Sequence, residues 1–215
     1  MMVIYSIATG ILCLAALLVS VTGIKNLSFD VIRETVKQNQ KDMLISFSLG
    51  LAAYLVITLL YGISWEEAIQ WQIALHFTIS CAINDYRQKI IPNRLVITLL
   101  IFSAGVLILF LIRYPLYYRL ILSSSAAGGG ITFIFMVICN FLSRGGFGAG
   151  DVKFLSALGF LLGIRGIFNV FLFTMITSAF TGIFFMITKK KSGKDTMPLG
   201  PFILFGIIIP ILLGL

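Results

Sequence analysis

The sequence predicts an all-α protein, a polytopic integral membrane bundle of about eight membrane segments with both termini extracytoplasmic. Three observations carry that expectation. First, 59% of the 215 residues are hydrophobic and only 11% are charged, with a mean hydropathy of +1.06; a soluble domain is roughly half apolar and about a quarter charged. Second, several apolar runs approach or exceed the ~20 residues that a helix needs to cross a bilayer's hydrocarbon core. A helix satisfies its own backbone hydrogen bonds there, so a bundle of helices is the economical solution. Third, the basic residues are distributed unequally between alternate loops.

The expected segments are 3–24, 43–62, 66–84, 95–112, 120–142, 151–165, 167–187 and 200–215. The first has no basic residue ahead of it and no small-residue cleavage site, so it reads as a retained span rather than a removed signal peptide. The longest polar interval follows, residues 25–42, where Phe29, Val31, Ile32 and Val36 allow a short amphipathic helix on the membrane surface. Pro92 lacks an amide hydrogen and disfavours helix at Ile91, which sets a break before the fourth segment. Within the fifth, "SSSAAGGG" at 123–130 offers small residues for close helix packing. The sixth segment is short and at 1.5 Å per residue barely crosses the core, which leaves tilting, local thinning or a re-entrant path open. With eight segments, the even-numbered loops carry only Arg113, Arg119 and Arg165, whereas the other side holds thirteen of the sixteen Lys and Arg residues. The positive-inside tendency puts that richer side in the cytoplasm.

Composition also excludes function classes. A net charge of +8 does not imply nucleic acid here, because the basic residues occupy short loops between apolar segments and form no patch on a soluble fold. Cys13, Cys81 and Cys139 stand singly, without a CxxC pair, so neither a zinc ribbon nor a disulfide framework is expected. No metal or other cofactor is expected; His76 has no metal-ligand partners and reads as a buried polar group.

Of eight acids, Asp30, Glu34, Asp42, Glu66, Glu67 and Asp195 read as solvated loop or interface charges. Two are different. Asp85 ends the run "WQIALHFTISCAIND", and Asp151 begins "DVKFLSALGFLLGI" after Gly145, Gly146, Gly148 and Gly150. The topology puts both at the cytoplasmic boundary. Charges at such positions are costly and mark functional sites by default, although pairing with Arg87, Lys89 or Lys153 at the interface is an open alternative. If the two carboxylates meet, one can take a proton from water while the other, protonated, polarises a peptide carbonyl. Such a pair titrates as a unit, so neither is assigned as acid or base. The glycines permit tight turns and close approach of another chain. Lys153, two residues from Asp151, points to another helix face and reads as snorkelling to the interface.

At these residues the sequence resembles the type IV prepilin peptidases, membrane aspartic proteases with a GxGD motif. "GAGDVK" at 148–153 matches Gly-x-Gly-Asp-x-Lys, Asp85 followed after five residues by "IPN" at 91–93 matches the first aspartate motif, and "PLGPFILFG" at 198–206 matches the proline-glycine-proline start of the last helix. The resemblance spans 66–215, within one membrane-embedded domain 1–215. It implies an endopeptidase of the inner (cytoplasmic) membrane that cuts the basic leader from prepilins or pseudopilins at the cytoplasmic face, with membrane lipid around it. By residue it carries the catalytic pair to Asp85 and Asp151. Gly148, Gly150, Lys153, Pro92, Asn93, Pro198, Gly200 and Pro201 carry over as motif and support residues. Two-function members also methylate the new N-terminus and carry a cytoplasmic insert with CxxC pairs. Residues 25–42 are cysteine-free and too short for it, so the expectation is a compact peptidase like those of tight-adherence (Flp-type) pilus systems, without methyltransferase activity.

Rivals from other classes are a small transporter or channel using the two aspartates and a noncatalytic scaffold for pilus or secretion assembly. Transporter sites lie near the midplane between repeated halves, whereas both carboxylates here are at one edge and no internal repeat is evident. A scaffold leaves the three motifs unexplained. A presenilin-like GxGD enzyme is disfavoured because Asp85 lacks a Tyr-Asp context.

Overall fold

The computed structural model describes residues 10–11, 48–53, 55–143, 146–188 and 198–215. Apart from residues 10–11, the expected first segment lies outside them, as does the surface helix within 25–42. What is described is helical throughout, with no strand among the described residues. A helical stretch at 48–53 leads into a π-helical turn, Val56–Leu60. Five α-helices follow: α1, Trp65–Gln88; α2, Asn93–Arg113; α3, Tyr118–Leu142, preceded by a 3₁₀ turn at Pro115–Tyr117; α4, Ala149–Ile187; and α5, Gly200–Leu213. The stretches Asn93–Arg113, Pro115–Leu142 and Ala149–Ile187 are long and apolar enough to cross a membrane.

The helices begin and end where local chemistry requires. Ser64 caps α1 by accepting the Glu67 amide at 3.3 Å. At its other end Lys89 adopts the left-handed conformation, φ 54°, and its N–H closes on the Asp85 carbonyl at 2.9 Å. Pro92 then stands immediately ahead of α2 with extended backbone, as its missing amide requires.

Straight, the 39 residues of α4 would extend nearly twice the ~30 Å of a hydrocarbon core. They are not straight. Gly163 has φ 68° and ψ −177°, a conformation essentially restricted to glycine. The chain turns back there: Phe160 packs beside Gly129 of α3, whereas Phe171 stacks edge-on against Phe135, further toward the C-terminal end of α3. Ser124 on α3 accepts the Ile164 amide at 3.3 Å, meeting a donor that the break exposes. The expected pair of segments, 151–165 and 167–187, thus corresponds to the two arms of α4, with the break at Gly163.

Small residues let α3 and α4 approach closely. A Cβ on Gly128 would collide with the Gly159 carbonyl and lie 2.7 Å from the Gly163 carbonyl carbon. The small-residue run at 123–130 is therefore a packing surface. On the other side of α4, a Cβ on Gly206 of α5 would lie 2.6 Å from the Val170 carbonyl oxygen.

The outward faces of α2, α3 and α4 remain apolar, with Ile101, Ile112, Phe141, Phe168 and Phe180 among the exposed side chains, as expected for helices whose solvent is lipid. α1 differs. It buries Gln72, His76, Thr78 and Asp85 together with Phe77, Leu75 and Cys81. His76 is enclosed, its Nδ1 2.7 Å from the Gln72 carbonyl one turn earlier, consistent with a buried polar group.

Glu66 corrects the sequence reading. It is only 2% exposed, and Arg113, at the far end of α2, meets its Oε1 at 3.2 Å. The reason is antiparallel pairing: the start of α1 and the end of α2 share one end of the bundle, and a buried carboxylate there needs a cation. Replacing Arg113 with Met should destabilise the protein by roughly 1–3 kcal/mol, because an unpaired charge remains enclosed. Glu66→Gln should cost less. Thermal unfolding in detergent measures both, and equal effects would refute this account.

Candidate active site

The site end of the bundle is built from three turns. The first follows α1, where Asp85 lies in the last helical turn and is 6% exposed. The second precedes α4. Gly148 is its N-cap residue, and Asp151, three positions on, reaches back so that its Oδ2 accepts the Gly148 amide at 3.1 Å, the carboxylate half of a capping box. Asn140 and Ser143 brace this turn by accepting the Phe147 and Gly146 amides at 3.2 and 3.1 Å. The third is the start of α5, where the Gly200 amide donates to Asp85 Oδ2 at 2.7 Å.

Close approaches tie the turns together. A Cβ on Gly150 would lie 2.9 Å from the Ile91 Cβ and 3.4 Å from the Ile91 carbonyl oxygen, so the GxGD turn packs directly on the Ile-Pro-Asn turn. A Cβ on Gly200 would lie 2.9 Å from the Ala82 Cα and 3.0 Å from the Asp85 Cβ. Lys153 donates to Asn93 Oδ1 at 3.2 Å across 60 positions of sequence. Lys153 is exposed, as snorkelling predicts, but it also has this specific partner. Pro92 begins the turn into α2, Pro198 stands partly buried two residues before Gly200, and Pro201 occupies the first turn of α5.

The two aspartates are near enough for the charge of Asp85 to act on Asp151, and the buried Cys81 lies one helical turn before Asp85. Asp151 is half-buried, and its Oδ1 is enclosed without a hydrogen-bond partner. A carboxylate oxygen left unpaired in this way is costly and available to a water or a substrate group. Cys81 was not singled out by sequence. Its signal was the spacing of four residues from Asp85, which places both on one face of α1. Among the described residues no group of three or more His, Cys, Asp and Glu side chains gathers as a metal site would require.

The Lys153–Asn93 bond is exposed, so its contribution is small. Asn93→Ala and Lys153→Met should each lower stability by no more than about 1 kcal/mol, and the double substitution should cost little more than either alone. Additive losses in a double-mutant cycle would show that the two side chains do not act on each other.

Fold and site define a class: a helical membrane protein with two carboxylates converging on one end of its bundle, on turns built from glycine and proline. The chain belongs to the type IV leader peptidase family, whose model matches residues 72–186. That range includes both aspartates but stops short of Gly200. Among curated relatives, a prepilin leader peptidase/N-methyltransferase of Bacillus subtilis (strain 168) is 28% identical over 156 residues, covering 72% of this chain and 59% of the relative. A protein of the same name from Xanthomonas campestris pv. campestris is 24% identical over 164 residues, covering 74% and 56%. The chain thus spans less than two thirds of the length of these relatives. No solved structure matches it.

Proposed function

We propose that the protein is a prepilin leader peptidase, an aspartic endopeptidase that cuts the basic leader of prepilin-like proteins at the cytoplasmic face of the inner membrane. The observation that carries this reading is the convergence of the turns that hold Asp85 and Asp151, with an enclosed and unpartnered Asp151 oxygen. In the reaction the ionised carboxylate takes a proton from water as the water oxygen attacks the scissile carbonyl carbon. The other carboxyl donates its hydrogen bond, then its proton, to the carbonyl oxygen. Collapse of the tetrahedral intermediate breaks the C–N bond, and the amine leaves with a proton returned by the pair. Family membership and the relatives' names support the substrate class.

Within this proposal residues 1–215 form one membrane domain of eight segments with both termini outside, the arms of α4 supplying the sixth and seventh. The same-end placement of Glu66 and Arg113 agrees with that loop count. Gly148, Gly150, Lys153, Pro92, Asn93, Pro198, Gly200 and Pro201 support the pair, and lipid surrounds the bundle. The methyltransferase half of the relatives' name is not carried over, because Cys13, Cys81 and Cys139 stand singly.

The test is co-expression with a candidate prepilin, following leader loss by mass. The wild-type chain should release the leader, and the Asp85→Asn/Asp151→Asn double variant should not. Equal processing with both proteins would remove the two-carboxylate reading.

A further inference from the structure

The start of α5 holds Asp85 in place by a bond that its own sequence reserves. Asp85 occupies the last turn of α1, the negative end of that helix dipole, where a carboxylate is not favoured. α5 presents the opposite end. Within its first three residues Pro201 has no N–H, and the Phe202 amide is used by the Leu199 carbonyl at 3.0 Å. The Gly200 amide therefore remains to leave the helix, and it reaches Asp85 Oδ2 at 2.7 Å in a buried setting.

Glycine is required for that approach. Any Cβ at position 200 would meet the α1 backbone at Ala82 and the Asp85 Cβ and Oδ2, at 2.9, 3.0 and 3.1 Å. α5 is itself held, by Gly206 pressed on the Val170 carbonyl of α4 and by the Tyr61 hydroxyl donating to the Leu212 carbonyl at its other end.

We propose that Gly200 is a positioning residue for the peptidase reaction: its main-chain N–H fixes the Asp85 carboxylate, so that the chain from Pro198 to Pro201 orients one half of the aspartate pair. The inference rests on the peptidase reading above and gives the third motif a defined part in it. A side-chain substitution cannot remove an N–H, but an ester can. Replacing the Leu199–Gly200 amide by an ester removes the donor and also weakens the Leu199 carbonyl that accepts the Phe202 and Ile203 amides. The Phe202→Leu199 contact is therefore checked by Gly200→Ala, which keeps both groups, and a second ester at the Gly206–Ile207 bond, in the interior of α5, is the control for losing an ordinary helical donor.

With purified full-length protein in detergent and a prepilin substrate, the ester at 200 should lower kcat by about 10²-fold with KM unchanged, while the ester at 207 changes kcat by less than about threefold. Isotope-edited infrared of labelled Asp85 reads the same bond without turnover, and its carboxylate band should move only in the 200 ester. Gly200→Ala should reproduce the kcat loss. Wild-type kcat in the 200 ester, or equal losses in both esters, would overturn the positioning role while leaving the peptidase reading intact. An Asp85→Asn protein that still cleaves would overturn both.

Discussion

Asp85→Asn and Asp151→Asn should each abolish leader cleavage, lowering turnover by roughly 10⁴-fold or more, because members of a catalytic unit do not contribute independently. Asparagine keeps the shape of aspartate but neither accepts a proton from water nor donates one to a carbonyl oxygen. Folding should survive. In the Asp151→Asn variant the new side chain retains an oxygen for the Gly148 amide, and a neutral amide escapes both the burial of a carboxylate and the nearby charge of Asp85, so thermal stability should be unchanged or slightly higher. The measurement pairs product mass with a melting curve in detergent. Cleavage persisting in either single variant would sink the shared-carboxylate mechanism, whereas a large drop in melting temperature would turn the loss of activity into a folding effect.

The second large effect lies at the turn within α4. Gly163→Ala should destabilise the protein by roughly 3 kcal/mol, and Gly163→Val by more. Two costs add. The backbone conformation there is expensive for any residue with a Cβ, about 1–3 kcal/mol, and that Cβ would lie 2.6 Å from the Ser124 hydroxyl. Gly105→Ala is the matched control. Gly105 lies inside α2, and a Cβ there meets nothing within 4 Å, so alanine should be neutral or stabilising by up to about 1 kcal/mol. Denaturant unfolding of the two variants should therefore shift in different directions, and a Gly163→Ala protein as stable as wild type would refute the strain argument.

Much of this was legible in the sequence. The alternation of apolar runs and basic loops already put Asp85 and Asp151 at one level, and in the structure their turns share one end of the bundle; Pro92 located the break ahead of α2. Period and composition report which residues share a segment; they do not report which face meets which neighbour. That is why Glu66 read as a solvated or interface charge until its partner 47 positions away was in place, and why Cys81 read only as a cysteine standing singly. Position 200 was recognised as part of a motif, but its use depended on the direction of a backbone N–H, which no side-chain pattern encodes. The turn in α4 was anticipated a few residues late, at 166, because both Gly163 and Gly166 stand near that boundary and only the backbone shows that Gly163 takes the positive φ of the break.

The enclosed character of α1 has a consequence for how the protein is made. α1 is not among the stretches apolar enough to cross a membrane, yet it has the most buried polar side chains of the bundle. Its surroundings in the finished molecule are other helices rather than lipid, so a growing chain that has reached Gln88 has no favourable place for it in the bilayer. α2 supplies the first part of that place, where Arg113 can neutralise Glu66, and α5, the helix on which α1 packs most, completes it, so α1 should enter with α2 and settle only once α5 has emerged. The Arg113→Met substitution should then be felt first in biogenesis, as a chain that fails to insert, and only afterwards in the stability of the chains that do.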